Sequence, residues 1–196
     1  FRWSSSLSAL PGFPNLQPRW NLSPGDSLLL LREQAGQMRA DSARWGLTPA
    51  WMTELSRTPA HARAETVAEQ PMFRDAFALR RGLVPINGFY EWRGTRKRPY
   101  WVSGGDNLLY CAAVWESYPV GEREYLSLAL LTCPAADLRR PVLLDAETQR
   151  EWLDGATPPA RLKALLGPPS PALKERALAG LVNDPGTDGP ECLTPA

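Results

Sequence analysis

Apolar residues recur along this chain in short dense runs between turn-forming residues, a pattern of strands more than of long helices. The run "SLLLLREQ" (27–34) ends in charge and predicts a buried strand leading to a turn near Gly36. Before it, residues 1–27 are rich in Pro, Ser and Gly and predict irregular structure crossing a surface. "ARWGLTPAWM" (43–52) mixes strand and turn residues, with Gly46 and Pro49 bracketing a bend. "PMFRDAFALRRG" (71–82) predicts a helix: Pro71 suits its first turn, Phe73 and Phe77 share a face, and Gly82 closes it.

Four strands are predicted next, over 83–93, 98–103, 107–117 and 124–133. The turns between them hold Gly94, Gly104-Gly105, and Pro119 with Gly121, a spacing that fits an antiparallel meander. Two short helices follow. One covers 145–155, with Asp145 as N-cap and Gly155 past its end, and the other covers 159–167. "ALAGLV" (177–182) returns as a strand before the turn-rich "NDPGTDGPE". The expected class is α+β, a single compact β-rich domain over 1–196 with antiparallel strands and a few peripheral helices.

Composition narrows the setting. With 196 residues, 43% hydrophobic and 22% charged, the chain can bury a core without staples. No run of about 18 apolar residues exists, so no membrane span is expected. The opening "FRWSSSLSAL" is too short and too polar for a signal peptide. Cys111, Cys133 and Cys192 are far apart and match no zinc spacing, so neither disulfide nor metal is expected, and an odd count suits a reducing, cytoplasmic setting. No cofactor motif occurs, and a monomer is expected.

Charge is unevenly placed. The net charge is +1, but Arg57 to Arg98 carries nine basic residues against four acidic ones, a local +5. That excess suits an anionic partner such as a phosphate backbone, or a solvated, salt-laced surface. Several of the eight tryptophans sit beside arginine, as in Arg44-Trp45 and Trp92-Arg93, and such pairs can hold unstacked bases and phosphates. Most tryptophans, however, fill cores.

The strand "GFYEW" (88–92) puts Phe89, Glu91 and Arg93 on one face and Tyr90 and Trp92 on the other. A carboxylate among aromatics is costly to bury unless paired or protonated. Glu91 is therefore either a candidate acid or base, or half of a structural salt bridge, for example to Arg63 or Arg139. His61 is the only histidine, so a two-histidine metal site is impossible; a Cys133–His61 pair remains formally open.

Taken together, "PRWNLSPG" (18–25), "RWGLTPAW" (44–51), "ARAETV" (62–67), "FRDAF" (73–77), "LVPINGFYEW" (83–92), "RPYWV" (98–102), "RRPVLL" (139–144) and "NDPGTDGPECLTP" (183–195) resemble the SRAP (SOS response-associated peptidase) family, in that family's order. The resemblance implies a β-rich fold with a basic groove for single-stranded DNA. It also implies an N-terminal cysteine that attacks the ring-opened aldehyde of an abasic site and closes a thiazolidine crosslink. Carried over by position, the assisting glutamate is Glu91, and the DNA-contacting set is Asn21, Trp45, Arg63, Trp92, Thr132 and Arg139. Arg63 and Arg139 would hold phosphates, and Trp45 and Trp92 would flank the unpaired base.

Three departures bear on the chemistry. The family begins Cys-Gly-Arg-aromatic, whereas this chain begins "FRWSSS", so covalent capture is expected only where a cysteine precedes Phe1. His61 in "HAR" takes the place of the family's asparagine, and Asp137 in "DLRRP" takes that of its histidine. The implied partner is single-stranded or abasic DNA. The alternatives are a DNA-binding pseudoenzyme, and a peptidase relying on Glu91.

Overall fold

The computed structural model describes residues 17–54, 58–167 and 172–196; Phe1, Trp3 and the greater part of the stretch 1–27 lie outside the described residues. Ten strands dominate them: β1 Ser27–Gln34, β2 Gln37–Trp45, β3 His61–Arg63, β4 Arg81–Ile86, β5 Gly88–Arg93, β6 Arg98–Ser103, β7 Leu109–Val120, β8 Arg123–Ala135, β9 Leu138–Pro141 and β10 Lys174–Ala177. Three short helices accompany them, α1 Arg74–Leu79, α2 Ala146–Leu153 and α3 Pro159–Leu165. The fold is thus β-rich α+β, as the hydrophobic pattern predicts. Among the described residues no helix is long and apolar enough to cross a membrane.

Contacts divide the chain into two compact units. The larger holds the described residues of 24–84 and 110–170. Its sheet runs β2-β1-β4-β7-β8, and a parallel β2–β8 pairing closes that order into a ring. The β1–β2 hairpin turns at Ala35 and Gly36, both at positive φ (53° and 75°), the backbone a two-residue turn between twisted strands requires. β8 changes partners along its length: β7 and β9 pair it antiparallel, while β2 and then β3 run parallel to it. Most pairings are antiparallel, as expected, and the two short parallel ones add to them. The parallel pairs arise because β2, ending at Trp45, and β3, beginning at His61, both run alongside β8 in its own direction.

Helices α1 to α3 pack into one apolar cluster with the sheet, centred on the fully buried Trp152 and including Phe73, Phe77, Val114, Leu131 and Leu165. Asp145 caps α2 by accepting from the Glu147 and Thr148 amides, at 3.1 and 2.9 Å. The helix predicted over 71–82 is shorter than expected, since only Arg74–Leu79 is helical and Gly82 lies inside β4. The fully buried run Arg81–Ile86 takes the chain into the sheet. A side chain at Gly82 would come within 2.6 Å of Leu30 Cδ1 and 2.9 Å of the Leu31 carbonyl, so close strand packing explains that glycine better than helix termination does.

The smaller unit holds the described residues of 1–23, 85–109 and 171–196. Its sheet has the order β10-β6-β5, with Glu91 opposite Tyr100 and Glu175 opposite Val102. The single strand predicted over 83–93 is in fact two, broken at Asn87 and belonging to different sheets. The strand predicted over 177–182 is likewise corrected: β10 ends at Ala177, and Gly180–Asn183 forms a 3-10 turn that buries Val182 beside Trp101, Leu178 and Cys192.

Candidate nucleic-acid interface

In the larger unit the three residues of β3 alternate, with Ala62 buried in the core while His61 and Arg63 remain exposed. The register sets Arg63 opposite Thr132, and β9 brings Arg139 opposite Pro134 on the same strand. Two predicted phosphate contacts therefore meet at one stretch of β8. The Arg63 guanidinium makes no hydrogen bond or ion pair among the described residues. Arg139 is already engaged: Nε donates to Thr132 Oγ1 at 3.0 Å, and its two terminal nitrogens reach the Glu65 carboxylate at 2.8 and 2.7 Å. Arg139 also donates to the Thr132 carbonyl at 2.7 Å.

This two-pronged contact holds the Glu65 carboxyl down at about 2, well below the usual carboxylate range. A depressed acid contributes stability above its unfolded value and loses it as pH falls toward the folded one. The clasp is therefore closed throughout the neutral range and opens only near pH 2. The sequence does not mark Glu65 as Arg139's partner, because its charge offers no signal of which arginine the β8–β9 hairpin delivers to it.

Because β2 and β3 follow one another along the same edge of β8, Trp45 and His61 become neighbours. Their rings meet edge to face at 5.5 Å. Trp45 is only 5% exposed and donates its indole N–H to the Ala60 carbonyl at 2.9 Å, which fixes the returning loop. Its role here is to pack against His61 more than to offer an open stacking face. Burial lowers the His61 pKa, so the imidazole is neutral at pH 7, although the residue as a whole is exposed.

Asp137 sits exposed in the tight β8–β9 turn, next to Ala136 at φ 50°. His61 pairs with Leu130 and the turn begins after Ala135, a separation of roughly 17 Å along the strand at about 3.3 Å per residue. The two departures from the family pattern do not stand side by side. Cys133 lies on the opposite face of β8 from Leu130, and burial raises its thiol pKa, so neither placement nor ionisation supports a Cys133–His61 pair. It instead lines a groove of about 380 Å³ with Glu65, Arg140 and Lys163.

In the smaller unit Glu91 is 5% exposed and faces the same side of the sheet as Phe89. Its partner is Arg93, two residues along the same strand, which donates from Nε and a terminal nitrogen at 2.9 and 2.6 Å. The pairing suggested from sequence, with Arg63 or Arg139, is replaced by this one because period-two alternation already sets Glu91 and Arg93 together. Arg93 also donates to Glu175 at 2.8 Å and lies 4.4 Å from the Tyr100 ring centroid.

The opposite face is aromatic. Tyr90 packs on Trp101 with ring centroids 5.2 Å apart, and Trp92, 38% exposed, donates its N–H to Asn183 at 2.7 Å. Asn21 directs its side-chain amide at the carbonyls of Val182, Asp184 and Thr187, while its backbone N–H donates to Asp188. It ties the incoming chain to the C-terminal loop, so its amide N–H groups are spent internally.

Across nearly all of its length the sequence matches the model of the SOS response associated peptidase (SRAP) family, over residues 5–185. The chain belongs to the SRAP family. The abasic site processing protein YoqW of Bacillus subtilis is 30% identical over 191 residues, which cover 90% of this chain and 85% of that protein. A phage-related protein of Bordetella bronchiseptica shares the fold with a TM-score of 0.68 and 30% identity, covering 85% of this chain and 86% of that one. A Bacteroides thetaiotaomicron protein of 22% identity superposes with a TM-score of 0.75, covering 88% and 82%, and supports the fold alone.

Within this SRAP chain two further features escape a reading of the sequence. Trp51 is 61% exposed, an uncovered aromatic in the same "RWGLTPAW" stretch as the buried Trp45. Glu175, the far anchor of Arg93, lies 82 residues away in sequence and becomes visible only once β10 is paired with β6.

Proposed function

We propose that this SRAP chain binds single-stranded DNA at abasic sites as part of a DNA-damage response. The observation that carries the reading is the match, over 90% of the chain, to a relative whose name describes abasic site processing. The geometry agrees with it. Arg63 is an exposed cation with no hydrogen bond or ion pair among the described residues, Arg139 supplies a second once Glu65 yields, and Trp51 and Trp92 offer exposed aromatic surface for an unstacked base.

Glu91 is the group assigned to proton transfer. Where a cysteine precedes Phe1, its α-amine condenses with the ring-opened aldehyde, expelling water, and its thiol adds across the resulting imine to close a thiazolidine. Glu91 would accept and return protons in those steps. A second reading, a module that shields the lesion without crosslinking, is favoured by His61 and Asp137, which replace the asparagine and histidine of the family pattern.

Intact mass of the protein with its encoded N-terminus, before and after incubation with an abasic oligonucleotide, separates these readings. An adduct that vanishes when a terminal cysteine is replaced supports capture. Salt-sensitive binding without an adduct supports shielding.

The clasp makes its own prediction. Glu65→Gln removes the carboxylate that competes with phosphate for Arg139. Affinity for single-stranded DNA should rise roughly 2- to 5-fold, since an exposed charge pair is worth about 1 kcal/mol or less. Unchanged affinity in a titration at fixed salt would remove Arg139 from the phosphate-binding set.

A further inference from the structure

The hairpin that carries Glu91 ends in a second cationic feature. Between β5 and β6 the chain turns through Gly94-Thr95-Arg96-Lys97, closed by a hydrogen bond from the Lys97 amide to the Gly94 carbonyl at 3.2 Å. Residues 94–98 are all exposed. Arg96, Lys97 and Arg98 make no side-chain hydrogen bond or ion pair among the described residues, so three consecutive exposed charges have no counter-charge there. Like charge is also opposed directly across the strands, where Arg93 faces Arg98. Arg93 is neutralised by both Glu91 and Glu175, whereas the tip has no such compensation among the described residues.

Two things about the tip run against stability. Adjacent like charges repel, and Lys97 sits in the left-handed region at φ 50°, where glycine is at ease and lysine is not. One pair back from the turn, on the face away from Glu91, Trp92 is exposed. An exposed indole followed by unpaired cations is the combination that holds single strands, with bases on the ring and phosphates on the charges.

We infer that the β5–β6 hairpin is a second contact for single-stranded nucleic acid, in which Arg96, Lys97 and Arg98 bind backbone phosphates of a strand passing Trp92. This rests on the DNA-binding reading above and extends it: the hairpin would engage nucleotides flanking the lesion, so affinity would depend on strand length as well as on the abasic site. The chemistry recognised is the phosphodiester backbone, without base preference.

The test is a salt titration of binding to a short abasic oligonucleotide and to a longer one with the same lesion. It compares the full chain, the triple variant Arg96→Ala/Lys97→Ala/Arg98→Ala, and Lys97→Gly. On the longer strand the triple variant should have a log K against log salt slope shallower by about 2, and the gain from added length should disappear, since each phosphate neutralised on a single strand contributes about 0.7 through counterion release. Lys97→Gly should be shallower by about 0.7 while its unfolding midpoint is equal to or above that of the parent, which separates lost binding from lost folding.

Slopes and length dependence identical to those of the parent would overturn this inference and leave the DNA-binding reading intact. Absence of single-strand binding by the parent chain would overturn both. A triple variant that loses binding to polyglutamate but keeps the parent's DNA slope would assign the tip to an acidic protein partner and overturn the nucleic-acid assignment.

Discussion

Replacing Arg81 with methionine should lower the unfolding free energy by about 3 kcal/mol or more, the largest single effect expected in this chain. Arg81 is 6% exposed, and its guanidinium faces backbone carbonyls instead of a carboxylate. It donates to Trp152 at 2.7 Å, Phe77 at 3.0 Å and Asp154 at 2.8 Å, and also to Ala78. These carbonyls belong to the C-terminal ends of α1 and α2, where the last turns lack intrahelical donors and carry partial negative charge. One side chain thus caps two helices and fastens them to the start of β4.

Burial lowers the Arg81 pKa, and the nearby Asp154 carboxylate partly offsets that. Methionine would fill the volume but satisfy none of the carbonyls. Arg81→Lys should recover little, because an ammonium cannot span the same planar fork. For a chain of this size a loss of about 3 kcal/mol corresponds to a thermal midpoint lower by roughly 6–12 °C. A methionine variant within about 0.5 kcal/mol of the parent in a denaturant titration would show that the carbonyls find other donors.

The second large effect is expected at Arg93. Arg93→Met removes two charge-assisted hydrogen bonds from Glu91, leaving that buried carboxylate without its guanidinium. The expected cost is about 2–3 kcal/mol, toward the lower end for breaking a buried pair because Arg93 is itself 27% exposed. Glu175 is the first cause, ahead of Glu91, of the guanidinium's pKa lying above the usual arginine value. Glu175→Gln should therefore have a smaller but measurable effect.

The network also defines a coupling. In a double-mutant cycle of Arg93→Met with Glu91→Gln, the second substitution should recover at least about 1 kcal/mol, since a neutral amide no longer needs the cation. Strict additivity would mean that Arg93 does not hold Glu91. If Glu91 transfers protons, Arg93→Lys should retain more adduct formation than Arg93→Met, and the pH dependence of adduct formation should shift between them.

What could be read from the chain followed from local rules. Alternation in "GFYEW" set Glu91 with Arg93 and against Tyr90 and Trp92, and the structure keeps those faces. Asp145 reads as a cap because its side chain acts within three residues. The errors came where distant segments decide. Gly82 looked like a helix stop, but the sheet required it so that β4 could lie against Leu30 and Leu31. "HAR" is too short to announce a strand, and only pairing with β8 makes it one. The same long-range register joins Arg63 to Arg139 and hides Trp45 against His61. Charge composition located a basic region but not its partners: Arg80 is bound to Glu116, Arg81 to carbonyls, and Arg63 to nothing among the described residues.

On the proposed reading, this SRAP chain recognises abasic single strands through a cationic edge built on β3. Fluorescence polarisation at two salt concentrations, comparing an abasic oligonucleotide with its intact counterpart for the full chain and for Arg63→Ala, decides whether it does. The abasic strand should bind more tightly, binding should weaken steeply with salt, and the slope should be shallower by about 0.7 in Arg63→Ala. The reading would be contradicted by a chain that binds neither strand at low salt, or that binds both equally with affinity and slope untouched by Arg63→Ala.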